Sequence, residues 1–238
     1  MSVVPLPQAL AIAGDHHRHG RLVEAQTIYG RVLEKFPDNA AALDGLGAIA
    51  LAQQDYAGAQ RLIEASLRAG GPSASALNNI GLAYRGLDRL AEAKAAFRQA
   101  LAIEPNAPLT LMNLGQLLDQ LDETEEALAL LQRAAGLAGT LSAPHNALAN
   151  LLARLDRFDA AERSLRRAIE LEPRNARLMF NLGNLHLRAE RIEDAVAAYR
   201  AANAADPDYF DPYHNLGHAF NELNRPRDAE ACFRRGIE

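Results

Sequence analysis

The residues of this 238-residue chain best suited to metal or nucleophilic chemistry are seven histidines and one cysteine. In Asp15-His16-His17-Arg18-His19, two imidazoles lie three apart. On a helix that spacing lets them share an ion. His214 and His218 are four apart, and Glu222 follows four later. Three ligands along one helix do not converge when the outer two lie about 12 Å apart by rise, so a polar surface is the expectation there. Cys232 stands beside Phe233 and needs a partner base in a cleft to act as a nucleophile. The sequence proposes none. Phosphate-binding glycine loops, nucleophile elbows and paired acid/base motifs are missing from the sequence. No catalytic residue, no metal and no cofactor are therefore expected in this chain.

A second polar set recurs at a fixed interval. Asn79, Asn113, Asn181 and Asn215 are separated by 34, 68 and 34. Asn150, Asn184 and His218 follow one another at 34, as do Arg154 and Arg188. Asn78, Asn146 and His214 form a third row, and Arg85 adds a cation. An Asn side chain offers both a donor and an acceptor. A ladder of such amides can pair with the backbone of an extended peptide, and Arg can fork onto its carboxylates. The alternative is that these Asn serve to order the helix that carries them.

The elements positioning these side chains follow from the interval. Ala25, Ala59, Ala93, Ala127, Ala161, Ala195 and Ala229 are spaced by 34 without an insertion. Gly47, Gly81, Gly115, Gly183 and Gly217 keep the same register, with Ala149 in the gap. Tyr29, Ile63, Phe97, Leu131, Leu165, Tyr199 and Phe233 each follow the alanine by four, and Pro37, Pro105, Pro173 and Pro207 mark the ends of four units. Residues 1–5 form a lead-in to repeats 6–39, 40–73, 74–107, 108–141, 142–175, 176–209 and 210–238, the last incomplete. Each repeat reads as two antiparallel helices, A and B. In the third they cover about Ser75 to Leu87 and Leu90 to Ile103, with Asp88 and Arg89 as the turn. Pro105 ends helix B because the residue before a proline is pushed out of the helical region.

The pattern resembles the tetratricopeptide repeat family, with its W-x2-L-G-x2-Y, A-x3-F and P markers, over residues 6 to 238. The resemblance implies an all-α fold, a right-handed α-solenoid or superhelix of antiparallel helix pairs. Where the family has Trp, this chain has Leu43, Leu77, Leu111, His145, Met179 and Tyr213, and only His145 is not bulky and largely apolar. Positions 4, 7, 8 and 11 of each repeat share one side of helix A at ~100° per residue. Positions 2, 5, 6, 9, 12 and 13 share the other side, which in the family lines the concave, ligand-binding surface. That assigns Asn79, Arg85, Asn113, Asn150, Arg154, Asn181, Asn184, Arg188, His214, Asn215 and His218 to a peptide-binding groove. The chaperone-tail clamp of one subclass requires a Lys at position 5, and this chain has none there.

Composition narrows the function classes. Apolar residues make up 49% and charged ones 23%, with no Trp and a net charge of −5. That balance lacks the clustered basic excess of a nucleic-acid binder or a polybasic membrane anchor. No run approaches the ~18 apolar residues of a membrane helix. Met1 to Pro7 lacks the charged and apolar regions of a signal peptide, and one cysteine allows no internal disulfide. A bacterial, cytoplasmic chain with a protein or peptide partner is expected.

Three functions stay open. One is an interaction scaffold within a longer protein, since repeat seven stops at Ile237-Glu238 inside its second helix and leaves Leu216, Phe220 and Phe233 without a following repeat. Another is the recruiting arm of a larger bacterial transferase, resembling O-linked N-acetylglucosamine transferases or sulfotransferase-like proteins. The third is a structural array, a homo-oligomer formed through the C-terminal repeat.

Overall fold

The computed structural model describes residues 5–236. Met1 to Val4 and the break at Ile237-Glu238 lie outside the described residues. Every repeat contributes two helices. They are α1 (Leu6–Arg18) and α2 (Leu22–Lys35), α3 (Ala40–Ala52) and α4 (Tyr56–Gly70), α5 (Ala74–Gly86) and α6 (Leu90–Ile103) and, from the fourth repeat, α7 (Pro108–Gln120) and α8 (Thr124–Leu137). The last three pairs are α9 (Ala143–Arg154) with α10 (Phe158–Leu171), α11 (Ala176–Arg188) with α12 (Ile192–Ala205), and α13 (Asp211–Glu222) with α14 (Pro226–Arg235). No strand occurs among the described residues. The chain divides into two compact units, Met1–Leu121 and Asp122–Glu238, and the division falls inside the fourth repeat.

Local chemistry sets the helix ends. The side chains of Asn39, Asp55 and Ser73 accept from the backbone N–H groups of Ala42, Gly58 and Ala76 at 2.9, 2.8 and 3.2 Å. Each satisfies a donor that the first helical turn leaves without an intrahelical partner. The turn between helices A and B is the same throughout. Gly20, Gln54, Asp88, Asp122, Asp156, Glu190 and Asn224 occupy equivalent places, and all seven have φ between 55° and 73°. This left-handed residue reverses the chain in the short link.

In the first unit α1 packs on α2, α3 on α4 and α5 on α6, while α2, α4 and α6 pack on the A helices that follow them. In the second unit α9 packs on α10, α11 on α12 and α13 on α14, and α8, α10 and α12 pack on the next A helices. Ala25, Ala59, Ala93, Ala161 and Ala195 are completely buried where two helices cross.

Gly47, Gly81, Gly183 and Gly217 at position 8 each meet a side chain from helix B of the same repeat. A Cβ on Gly81 would lie 2.6 Å from the Phe97 ring, on Gly183 2.4 Å from Tyr199, and on Gly217 2.5 Å from Phe233. In the first repeat this place is Ala13, and the Tyr29 ring lies instead over Gly45, 2.4 Å from where a Cβ would stand. In the fifth repeat this place is the buried Ala149, and Leu165 stands where Phe97 and Tyr199 stand in theirs.

Two departures from the sequence reading concern the core. Position 3 (Ala42, Ala76, Thr110, Leu178) and position 10 (Ile49, Ala83, Leu117, Leu151, Leu185, Ala219) are buried as well as the stripe at 4, 7, 8 and 11. Helices α3, α5, α9, α11 and α13 each pack between two B helices, so their apolar sector is wider than one stripe. The expectation that Leu216 and Phe220 lack cover is corrected: they are 4% and 2% exposed. They pack with Val196, Tyr199 and Ala229, and the Arg200 and Arg225 guanidiniums sit 5.3 and 4.7 Å from the Phe220 ring centre. Phe233 is half-buried.

Candidate functional site

The polar side of helix A carries the residues assigned to the groove, and the two units present them separately. In the first unit the amide of Asn79 donates to Asp44 at 3.1 Å and that of Asn113 to Asn78 at 2.9 Å. Asn113 is only 6% exposed. Both bonds run from position 6 of one repeat to position 5 of the repeat before, 35 residues earlier. Arg85 is half-buried, and burial pushes its guanidinium below the usual arginine range, opposed by Tyr56.

The second unit repeats the arrangement. Asn181 donates to Asn146 at 2.9 Å, again across 35 residues. Where position 5 becomes Phe180, the bond is redirected. Asn215 donates to the Oδ1 of Asn184 at 2.9 Å, and the Tyr199 hydroxyl donates to the same oxygen at 2.7 Å. Tyr199 is fully buried, and burial pushes its hydroxyl up to about 12 despite its contact with Asn215. Position-6 amides are thus joints between repeats, with Asn79, Asn181 and Asn215 partly open and Asn113 buried. After these bonds Asn181 keeps a carbonyl oxygen, and Asn184 keeps an N–H pair.

Asn150, Arg154, Asn181, Asn184 and Arg188 line one open pocket of about 320 Å³, floored by Ala149, Ala153, Leu165 and Leu185. Five of the eleven residues assigned from sequence therefore meet in one place. Arg188 is steadied from outside it, with Nη2 3.2 Å from Asp156 and its guanidinium 5.8 Å from the Phe158 ring centre. The pocket combines cations, amide donors and an amide acceptor over a small apolar floor. That is the chemistry of a peptide backbone bearing a carboxylate.

In the last repeat, Nε2 of His214 and Nε2 of His218 are 3.3 Å apart, and both rings meet the Phe233 ring edge-on at 5.8 and 5.3 Å. Both histidines are exposed on α13, beside Asn215. At the other end of the chain, His19 Nδ1 lies 2.9 Å from the Asp15 carbonyl oxygen, and His16 is half-buried. No group of three or more His, Cys, Asp or Glu side chains gathers for a metal among the described residues. Cys232 is half-buried, and burial raises its thiol above the ordinary value. No described helix is long and apolar enough to cross a membrane.

Sequence reasoning missed the partners of the ladder, Asp44 and Tyr199. The signal for Asp44 was present as an interval of 35, since a polar residue at position 5 precedes Asn79 and Asn113 in the first unit and Asn181 in the second, while Leu10 precedes Gly45.

Helix pairs in a 34-residue register, with a polar row on the A helices, define an all-α helical repeat protein. Family profiles described as tetratricopeptide repeat match residues 16–78, 72–138, 146–210 and 210–238, and the chain belongs to that family. In the broad sense it is a protein-interaction scaffold. No curated protein matches it. Among solved structures it is similar to MamA, with 23% identity and a TM-score of 0.60 over 66% of this chain and 92% of that one. It is similar to PilW, a widely conserved type IV pilus biogenesis factor, at 21% and 0.74 over 81% and 90%. A tetratricopeptide repeat protein from Parabacteroides merdae matches at 19% and 0.68 over 97% and 91%. At these identities the likeness shows the fold.

Proposed function

We propose that this chain is a non-catalytic scaffold that holds an extended, carboxylate-bearing peptide segment of a partner protein against the A helices of repeats five and six. The convergence of Asn150, Arg154, Asn181, Asn184 and Arg188 on one pocket supports this reading. The peptide backbone pairs with the Asn150 amide, the Asn184 N–H groups and the Asn181 carbonyl. Arg154 and Arg188 take the carboxylate. In the first unit Asn79 and Arg85 offer the same kinds of group while the buried Asn113 serves as a joint, and in repeat seven of the second unit His214, Asn215 and His218 offer them too. The structural use of the position-6 amides is part of the design, since an amide held by its neighbour is pre-oriented and loses less freedom on binding.

The test is selection of peptides from a random displayed library on the full chain, followed by measurement on an Asn150→Ala/Arg188→Ala variant with unchanged helicity. Acidic peptides that lose about tenfold or more in affinity on the variant support the proposal. Selected peptides that bind the variant equally well overturn it.

A further inference from the structure

His145 breaks the repeat pattern at position 4, where the other repeats after the first carry Leu43, Leu77, Leu111, Met179 or Tyr213. In the second unit it lines an open depression of about 380 Å³ together with Gln132 of α8 and Arg157, Arg163, Ser164 and Arg167 of repeat five. The buried side chains of Leu148 and Leu152 complete its apolar floor. This is the face of α9 turned away from Asn150 and Arg154. At ~100° per residue, His145, Leu148 and Leu152 fall together, and Asn146, Asn150 and Arg154 fall on the other side. At this depression an imidazole stands where the other repeats carry a largely apolar side chain.

The charge of this depression is not balanced from within. Arg166, one residue outside it, is held by Glu162 at 2.7 Å, and Arg167 reaches Glu170 at 2.8 Å. Arg157 and Arg163 have no acidic partner among the described residues. Ser164 directs its hydroxyl to the Ala160 carbonyl at 3.1 Å, which leaves the guanidiniums, the imidazole and the Gln132 amide facing the opening.

We propose that this depression is a second binding site, distinct from the groove, for a dianionic oxyanion of the phosphate class. Two uncompensated guanidiniums match a double negative charge, whereas a lone carboxylate leaves one of them unpaired. The planar fork of Arg suits phosphate oxygens. The apolar floor suits the organic part of a phosphate monoester.

His145 reports occupancy. Burial and the Arg167 charge hold its imidazole below the ordinary histidine range. An anion seated among the arginines opposes the second of these and raises it. The experiment follows the His145 ring nitrogens by NMR in the full chain, titrated with inorganic phosphate, phenyl phosphate or acetate at matched ionic strength. The expected result is a saturable shift with phosphate, a rise in the His145 titration midpoint, and no saturable shift with acetate. An Arg157→Gln/Arg163→Gln variant is expected to lose about tenfold or more in phosphate affinity while the Asn150 and Asn184 amide signals stay in place. Tighter binding of phenyl phosphate points to an ester, and equal binding to the free ion. A shift that is linear in phosphate and matched by acetate, or a variant that binds as well as the parent, overturns the proposal.

Discussion

The Asn113 amide donates to the Oδ1 of Asn78 at 2.9 Å, and 68 residues further on Asn181 makes the same bond to Asn146. Asn113 is buried while Asn78 is half-exposed. The donor therefore has no alternative partner in water when its acceptor is removed. Asn78→Ala is expected to cost about 1–3 kcal/mol by leaving a buried amide unpaired. Asn113→Ala removes the donor itself and is expected to cost about 1 kcal/mol. A double-mutant cycle in urea checks the coupling. Additive losses would show that the bond is not a joint between repeats.

The link residues are a second place to intervene. Gln54 and Glu190 hold φ of 61° and 58° where other repeats use Gly, Asp or Asn. The left-handed conformation costs an ordinary L-residue about 1–2 kcal/mol, and Gly nothing. Part of that gain is offset because Gly also loosens the unfolded chain. Gln54→Gly and Glu190→Gly are expected to raise stability by about 0.5–1 kcal/mol each. Asp88→Gly, starting from a residue that tolerates the region, gains less. Denaturant midpoints that fall in both glycine variants would contradict this account.

Two glycines inside helices separate packing from propensity. A methyl group added at Gly30, in α2, would meet no heavy atom within 4 Å, so Gly30→Ala is expected to gain the helix-propensity difference of about 1 kcal/mol. At Gly183 the same methyl would stand 2.4 Å from the Tyr199 ring, which is fully buried and held by Asn184. Overpacking costs about 1–3 kcal/mol and outweighs the propensity term. Thermal melts of the two variants should shift in opposite directions.

His186 is 3% exposed, and its Nδ1 has no partner. Burial holds its imidazole below the ordinary value of 6.5, with Arg191 and Arg166 acting in the same direction and Glu162 and Asp194 against it. The unfolded chain thus takes up the proton first. Stability is fully present above pH 6.5 and falls as the pH drops below it toward the lower folded value. His186→Leu, which places at this position the residue already found at 118 and 152, removes that loss. Urea midpoints at about pH 7.5 and about pH 5 should lie closer together in the variant than in the parent. An unchanged difference would assign the acid sensitivity elsewhere.

Much of this architecture is legible in one sequence because its signals are local. The alanine interval, the glycine at position 8 and the prolines place the helices, and α6 begins at Leu90 and ends at Ile103 as the pattern predicts. The periodicity of helix A also separates Asn150, Asn184 and Arg188 from Leu148 and Leu152. What the residues touch depends on contacts between repeats, which periodicity does not contain. Only the tertiary structure shows that Asn215 turns to Asn184 because Phe180 replaces an amide, that Tyr29 crosses to Gly45, and that Leu216 and Phe220 are covered. It alone decides that His145, Arg157 and Arg163 share a depression, because those side chains come from two helices and a link whose packing brings them together. Helix position follows from nearest neighbours in the chain, whereas hydrogen-bond partners and pockets follow from how one repeat seats on the next.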